Sequence, residues 1–331
     1  MKLSILTKMS ENAKSSALRV ALLVAVIGLF GIMNPAFVGP VSLLSVLQGL
    51  VFVGIAAVFL TMLITSGEFD ISIGANAALS GTVAAIFVVA GDGVEDDRSP
   101  WLGLIVAMLI GLTIGVINAV VVLVGNVPSF IATIAMLFIA KSLATFIPGG
   151  KPISDYRASW EAEGIVFREN LFLANFSIIV FIAMIVMGHI ILKRTHFGVV
   201  VASVGSNQEA ARTSGAPVMR IKALLFSLTG AGAGLAGGVS VLHFGSIYFA
   251  LGAGWELTAI AAIVLGGTSL FGGKGSILGL LFGIALMQTI ASGMVAVGID
   301  PWWQTVITGA IVLGVLVVEQ LRKKVGRIGD S

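Results

Sequence analysis

Residues 193–222 read KRTHFGVVVASVGSNQEAARTSGAPVMRIK, a polar stretch with five Lys/Arg residues between long apolar runs. Ser206 is followed three residues later by Glu209, the capping-box spacing in which each side chain bonds an unpaired backbone amide at a helix start. The stretch therefore predicts a short helix over 207–214. Gly215 and Pro217 end this helix, because glycine suits the left-handed position after a helix and proline cannot continue one. A small capped helix with alanines on its surface indicates a docking site for a partner.

The composition is that of an integral membrane protein. Of the 331 residues 57% are hydrophobic and 11% charged, and the mean hydropathy is +1.08, which excludes a soluble globular domain. The chain has no cysteine, so disulfides and thiolate metal sites are excluded, and we predict neither a cofactor nor a metal. The basic residues lie at segment ends without interleaved aromatics, so nucleic-acid binding is not predicted.

Runs of about 17–25 apolar residues can cross a membrane as helices, and the sequence contains about ten of them. The fold class is therefore an all-α, polytopic transmembrane helical bundle. Most of the 19 basic residues fall on one side, which places both termini in the cytoplasm. The predicted spans are 19–34, 41–65, 72–90, 101–124, 128–147, 174–193, 218–243, 254–270, 276–294 and 302–319. We divide the chain into a cytoplasmic segment 1–18, a single transmembrane domain 19–319 and a basic cytoplasmic tail 320–331.

Two predicted extracytoplasmic loops, 91–100 and 148–173, are polar. The first is acidic, and the second carries Tyr156 and Trp160 among charged residues. One interpretation is a pair of solvated linkers with an aromatic anchor at the membrane interface. The other is a surface that receives an extracytoplasmic protein, since a loop of about 25 residues is uncommonly long.

Glycine marks two further features among the 42 glycines of the chain. The run TGAGAGLAGG at 229–238 predicts a close-packing seam, because small residues let helix backbones approach one another. The glycines around Lys274 superficially resemble a phosphate-binding loop. The residue after Lys274 is Gly275 where that motif has Ser or Thr, and no strand precedes it, so we expect no ATP binding by this chain.

Glu68 and Asp70 lie where two apolar runs meet, in TSGEFDISIG at 65–74. A carboxylate at membrane depth costs about 2.5–3.5 kcal/mol on insertion scales. The pair therefore lies either in a cytoplasmic turn or in a broken helix whose polar groups face a pathway, with Ser72 capping the next helix. Two residues apart on a helix they would not share a face, which disfavours a paired proton or metal site. Glu256 raises the same question on the outer side.

Four stretches of this chain, taken in order, resemble the ribose/xylose-type permeases of bacterial ABC importers. They are GEFDISIG at 67–74, GNVPSFIATIAM at 125–136, RTHFG with VGSNQEAARTSGAP within 194–217, and GWELTAIAAIVLGGTSLFGGKGSILG at 254–279. The resemblance implies a non-catalytic subunit of the inner membrane that dimerises, as a homodimer or heterodimer. It also implies a periplasmic solute-binding protein that delivers a sugar and a separate ATPase that drives transport. Glu68 departs from the family pattern, which has a second glycine there.

The resemblance also suggests roles for particular residues. In this family residues 194–217 form a coupling segment that fits a groove on the ATPase, whereas a helix lying on anionic membrane lipid needs a larger apolar face. The coupling residues are then Ser206, Asn207, Glu209, Ala210, Ala211, Arg212 and Gly215. The candidate translocation pathway comprises Glu68, Asp70, Ser72, Asn126, Phe130 and Glu256.

Two alternatives to ATP-driven sugar import stay open at this point. One is a self-sufficient proton-coupled transporter that uses Glu68, Asp70 or Glu256 as a relay. The other is the same permease role for a nucleoside, a branched-chain amino acid or a furanosyl signalling molecule.

Overall fold

The structure is a computed structural model that describes residues 2–89, 99–153, 176–248, 250–300, 302–311, 313–314 and 317. Within these ranges the chain is helical except for its connections and one isolated antiparallel bridge, between Ile153 and Ile247. The predicted all-α class is confirmed. The predicted loop surface with Tyr156 and Trp160, and most of the acidic loop 91–100, lie outside the described residues.

Eleven helices have defined bounds within the described part of the chain, and residues 302–311 are also helical. They are α1 Lys2–Met33, α2 Pro40–Thr65, α3 Ile73–Val89, α4 Pro100–Leu123, α5 Ser129–Phe146, α6 Phe176–Arg194, α7 His196–Ser206, α8 Gln208–Thr213, α9 Val218–Phe244, α10 Trp255–Leu265 and α11 Ile277–Ala296. A 3₁₀ turn, Pro35–Val38, joins α1 to α2. The predicted boundary at residue 18 falls inside α1.

Six of the described helices are long and apolar enough to cross a membrane, namely α2, α4, α5, α6, α9 and α11. Shorter apolar helices are Ala17–Met33, α3, α7 and α10. The count of ten spans therefore stays a prediction. The predicted span 254–270 is wrong in length, because α10 has only 11 residues, or about 17 Å, against a hydrocarbon core of about 30 Å. Gly254 (φ +80°) precedes α10 and Gly267 (φ +88°) follows it, so left-handed backbone bounds the helix on both sides.

Helix α9 forms the centre of the bundle and packs against α2, α3 and α4. Its contact with α4 is made of glycines: a methyl group added at Gly230 would lie 2.7 Å from both Cα and N of Gly115. A methyl group at Gly111 would likewise lie 2.7 Å from Cα of Gly234. The amide of Asn76 on α3 donates to the carbonyls of Gly111 (3.3 Å) and Gly230 (3.4 Å) at the same crossing. The predicted glycine seam is confirmed.

Helices α2 and α3 are separated by a break at residues 66–72, in which Gly67 is exposed and Glu68 is partly buried. Asp70 and Ser72 have no exposed surface, so these two residues do not lie in a solvated turn. The choice between a cytoplasmic turn and a pathway element stays a prediction. The break interrupts the helical ladder. Its first amides bond carbonyls at the end of α2, and the amides of Phe69 and Ile71 bond side chains of another helix. A buried backbone requires such partners, because each unpaired amide or carbonyl costs about as much as a lost hydrogen bond.

Candidate functional site

The carboxylate of Asp70 organises the break. Its Oδ1 accepts hydrogen bonds from the backbone amide of Ser72 (2.8 Å) and from the Ser72 hydroxyl (2.6 Å). Its Oδ2 accepts from the side-chain amide of Asn118 on α4 (3.3 Å). The Ser72 carbonyl in turn accepts from the amide of Asn76 in the first turn of α3 (2.7 Å). Asp70 therefore positions the start of α3, where a negative charge is also favoured by the helix dipole.

Helix α5 supplies the other polar partners of the break. The Ser129 hydroxyl accepts from the amide of Phe69 (3.3 Å), and the Thr133 hydroxyl accepts from the amide of Ile71 (3.1 Å). Thr133 also donates to the carbonyl of Ser129, one turn earlier on its own helix (2.8 Å). The break is thus held by two side chains of α5, by the Asn118 side chain of α4 and by the backbone amide of Asn76 in α3.

Glu68 forms an ion pair with Lys222 that sequence reasoning missed. The Lys222 ammonium donates to Glu68 Oε1 (2.6 Å) and to Oε1 of Gln208 (2.6 Å). Only 7% of the Lys222 side chain and 15% of the Glu68 side chain are exposed. In the sequence, Lys222 is simply the last residue of the basic stretch 193–222. Its position five residues into an apolar helix is the signal that could have identified it, because a buried lysine needs an acidic partner.

The short helix of the coupling segment exists, but its predicted cap is wrong. Asn207 caps α8, and its Oδ1 accepts from the amide of Ala210 (3.0 Å). Ser206 instead ends α7, and its hydroxyl donates to the carbonyl of Ala202 (2.9 Å). The capping box of Ser206 and Glu209 does not form, because α7 continues to residue 206 and leaves Asn207 as the extended residue between two helices.

The predicted end of this helix is confirmed. Gly215 has φ +86°, and its amide donates to the carbonyl of Arg212 (3.0 Å). Ala211 does not face outward with Ala210: it is buried and clusters with Val204 and Val218. The interpretation that both alanines leave room for a partner is therefore wrong for Ala211. The other predicted coupling residues are exposed: Ser206, Asn207, Glu209, Ala210, Arg212 and Gly215.

Glycines join the coupling segment to α2 at a backbone junction. The amide of Gly273 donates to the carbonyl of Thr65, the last residue of α2 (2.8 Å). A methyl group added at Gly205 in α7 would meet that same carbonyl and would lie 2.6 Å from the amide nitrogen of Gly273. The glycine-rich loop around Lys274 therefore serves here as a packing loop between α2 and α7.

A cavity of about 750 Å³ opens beside α8, between the end of α4, the start of α5 and the start of α9. Glu68 and Asn126 line it, as do Gln208, Arg212 and Lys222. The predicted pathway residues Glu68 and Asn126 are thus brought together at this cavity.

The remaining pathway residues lie elsewhere. Phe130 is 55% exposed on α5, and Asp70 and Ser72 are buried in the break. Glu256, in the first turn of α10, approaches the start of α3: a methyl group at Gly74 would lie 2.8 Å from its Oε2. Among the described residues no group of three or more His, Cys, Asp or Glu side chains could hold a metal ion.

Comparison with known proteins shows the family. A family described as branched-chain amino acid transport system / permease component matches residues 42–316. The ribose import permease protein RbsC of Bacillus subtilis is 32% identical over 294 residues, which cover 88% of each chain. The autoinducer 2 import system permease protein LsrD of Yersinia enterocolitica is 30% identical over 306 residues, covering 90% of this chain and 89% of the relative. The fructose import permease protein FrcC of Rhizobium meliloti is 29% identical over 330 residues, covering 97% and 90%.

No solved structure matches the chain. The predicted resemblance to ribose-type import permeases is confirmed by the relatives, whose similarity extends over most of the chain. The long apolar helices agree with a multi-pass protein of the bacterial inner membrane. The chain belongs to the family of branched-chain amino acid transport system permease components.

Proposed function

We propose that this chain is the transmembrane permease subunit of an ATP-driven importer for a sugar or a sugar-like solute. A periplasmic binding protein delivers the solute, separate ATPase subunits supply the energy, and a second permease subunit completes the membrane pathway. Both termini and α8 lie in the cytoplasm, as the distribution of basic residues favours. The observation that carries the proposal is the exposed, capped helix α8, held against the bundle by Lys222 and Ala211.

The substrate class rests on the relatives. Their names refer to ribose, fructose and autoinducer 2, and the chain covers about nine tenths of each. A branched-chain amino acid, to which the family description refers, is the second candidate. The delivering protein sets much of the specificity in such a system, so the substrate test must include it.

Helix α8 has the properties of a coupling element. Glu209 and Arg212 are exposed on it and can form charge-assisted hydrogen bonds with a partner. Its two ends are fixed by the Asn207 cap and by Gly215, so the helix can move as one rigid piece. We infer that α8 docks on the ATPase, and that ATP-driven closure of the ATPase pair moves it.

The translocation pathway is proposed to run beside the α2–α3 break. Glu68 and Asn126 line the cavity next to α8, and we place the inner end of the pathway there. Asp70 and Ser72 hold the start of α3, and Glu256 in the first turn of α10 approaches the same helix start. Phe130 lies on the exposed face of α5, which suits a contact with the second permease subunit.

Reconstitution tests the function directly. The chain is placed in liposomes with the ATPase and binding-protein subunits of its own importer, and uptake of radiolabelled ribose and fructose is measured with ATP supplied on the ATPase side. We expect uptake that requires ATP and binding protein, stops with a hydrolysis-deficient ATPase and persists with a protonophore. Uptake by the chain alone that a protonophore abolishes would instead establish a proton-coupled transporter.

A further inference from the structure

We propose that Glu68, Lys222 and Gln208 are positioning residues of the transport reaction, forming a polar link that carries the movement of α8 to the α2–α3 break. The inference rests on the proposed function, because it assumes that α8 is moved by an ATPase. It adds a route by which that movement reaches the pathway.

The link connects three parts of the fold that are distant in the sequence. Gln208 is the first residue of α8, Lys222 lies in the second turn of α9, and Glu68 lies in the break. The Lys222 ammonium is shared between Glu68 Oε1 and Gln208 Oε1, both at 2.6 Å. The Lys222 ammonium thereby joins α8 to the break. Lys222 is 154 residues from Glu68 and 14 residues from Gln208 along the chain.

The three parts differ in how firmly they are held. Helix α9 packs its backbone directly on that of α4, beginning about one turn beyond Lys222, so Lys222 extends from a closely packed helix. The break lacks a helical ladder, and α8 has only six residues, with the cavity of about 750 Å³ beside it. We therefore expect a displacement of α8 to reach the break through the Lys222 side chain, while α9 keeps its packing on α4.

Burial strengthens the ion pair between Lys222 and Glu68, so that a displacement of one residue displaces the other. The Lys222 side chain is 7% exposed and the Glu68 side chain 15%, so little water competes for the two charges. A change that removes one charge leaves the other buried without compensation, and such a change is more disruptive than the loss of a surface ion pair. When α8 moves, Gln208 moves with it, and the shared ammonium carries that displacement to Glu68.

Charge variants of the complete reconstituted transporter test the link. The variants are Glu68→Gln, Lys222→Met and Gln208→Ala, and the matched control is Lys193→Met, which removes one exposed cation at the end of α6. Uptake and ATP hydrolysis are measured in the same preparation, giving solute transported per ATP. We expect solute per ATP to fall about tenfold in Glu68→Gln and Lys222→Met while hydrolysis continues, and about threefold in Gln208→Ala. Lys193→Met should match the unmodified chain.

The results separate three cases. Absence of ATP-dependent uptake in the unmodified chain contradicts the proposed function itself. If the unmodified chain shows ATP-dependent uptake, variants that keep the same amount of solute transported per ATP contradict the proposed link. This includes variants in which uptake and hydrolysis fall in proportion. Gln208→Ala changes an exposed position and keeps the ion pair, so it reports on the link even where the buried variants do not assemble. The exchange Glu68→Lys with Lys222→Glu should recover coupling, since the Gln208 amide can turn to donate to a carboxylate.

Discussion

The glycine seam between α4 and α9 makes a quantitative prediction for Gly230→Ala. The new methyl group would meet the carbonyl oxygen of Gly111 most closely and would lie 2.7 Å from Cα and N of Gly115. Ordinary van der Waals contact begins at 3.4 Å, so the two backbones must separate by at least about 0.7 Å. All three neighbouring atoms belong to the backbone, and no side-chain rotation relieves the contact. Overpacking of this kind costs about 1–3 kcal/mol.

The same displacement weakens a buried hydrogen bond. The Asn76 amide reaches the carbonyls of Gly111 and Gly230 at 3.3 and 3.4 Å, which leaves little room before the bonds are lost. A buried amide without partners costs about 1–3 kcal/mol. The higher helix propensity of alanine offsets about 0.5–1 kcal/mol of these losses. We therefore expect a net loss of about 1–5 kcal/mol in the free energy of unfolding.

Gly232→Ala is the matched control, because it makes the same chemical change two residues away on α9. Its methyl group would meet only the Phe59 side chain at 3.2 Å, apart from looser contacts at 3.7 Å and beyond, so we expect a change below about 1 kcal/mol. Unfolding by SDS in mixed micelles, followed by tryptophan fluorescence, measures both variants. Equal stability of the two would refute the backbone-contact reasoning, and Gly28→Ala, which meets nothing within 4 Å, should be as stable as the unmodified chain.

Three further predictions concern the coupling segment and the break. Asn207→Ala removes the side chain that caps α8, at a cost of about 1 kcal/mol, and we expect weaker binding of the ATPase subunit in a pull-down; binding equal to that of Asn207→Ser would show that the cap is irrelevant. Gly215→Val forces a β-branched residue to φ +86°, so solute transported per ATP should fall while membrane insertion is kept; normal coupled uptake would contradict the docking interpretation. Asp70→Asn puts a donor NH₂ group at one of the two acceptor positions, facing either the Asn118 amide or Ser72. We therefore expect a loss of about 1–3 kcal/mol in the free energy of unfolding, together with impaired uptake. Stability and uptake kinetics equal to those of the unmodified chain would show that the break does not depend on the carboxylate.

Much of the coupling segment could be predicted because its signals are local. Gly215 ends α8 through its own backbone freedom, and that property is visible from residue type alone. The sequence predicts the cap at Ser206, one residue before the observed cap, because Ser206 and Asn207 are both good capping residues. The choice between them depends on where α7 ends, and α7 extends to Ser206. Packing of α7 on its neighbours, which local spacing does not report, decides that end.

The pathway residues show the same limit more strongly. From the sequence, Glu68 and Asp70 are carboxylates whose insertion at membrane depth costs free energy. The partner of Glu68 is a lysine 154 residues away, on α9. Asp70 is satisfied by Ser72 nearby and by Asn118 from α4. Periodicity can place a charge on a helix or in a break, but it cannot state which distant helix supplies the opposite group.

Composition and hydropathy alone were sufficient for the membrane class, the all-α architecture and the glycine seam, because the bilayer imposes helices on any long apolar run. The four motifs, taken in their order along the chain, were sufficient to identify the family. The tertiary structure alone decided that the basic stretch from Lys193 to Lys222 is not one unit. Its last residue belongs to α9, where burial pairs it with Glu68 and Gln208. The physical reason is that a buried ammonium must find an acceptor, and only the packed fold brings those acceptors within reach.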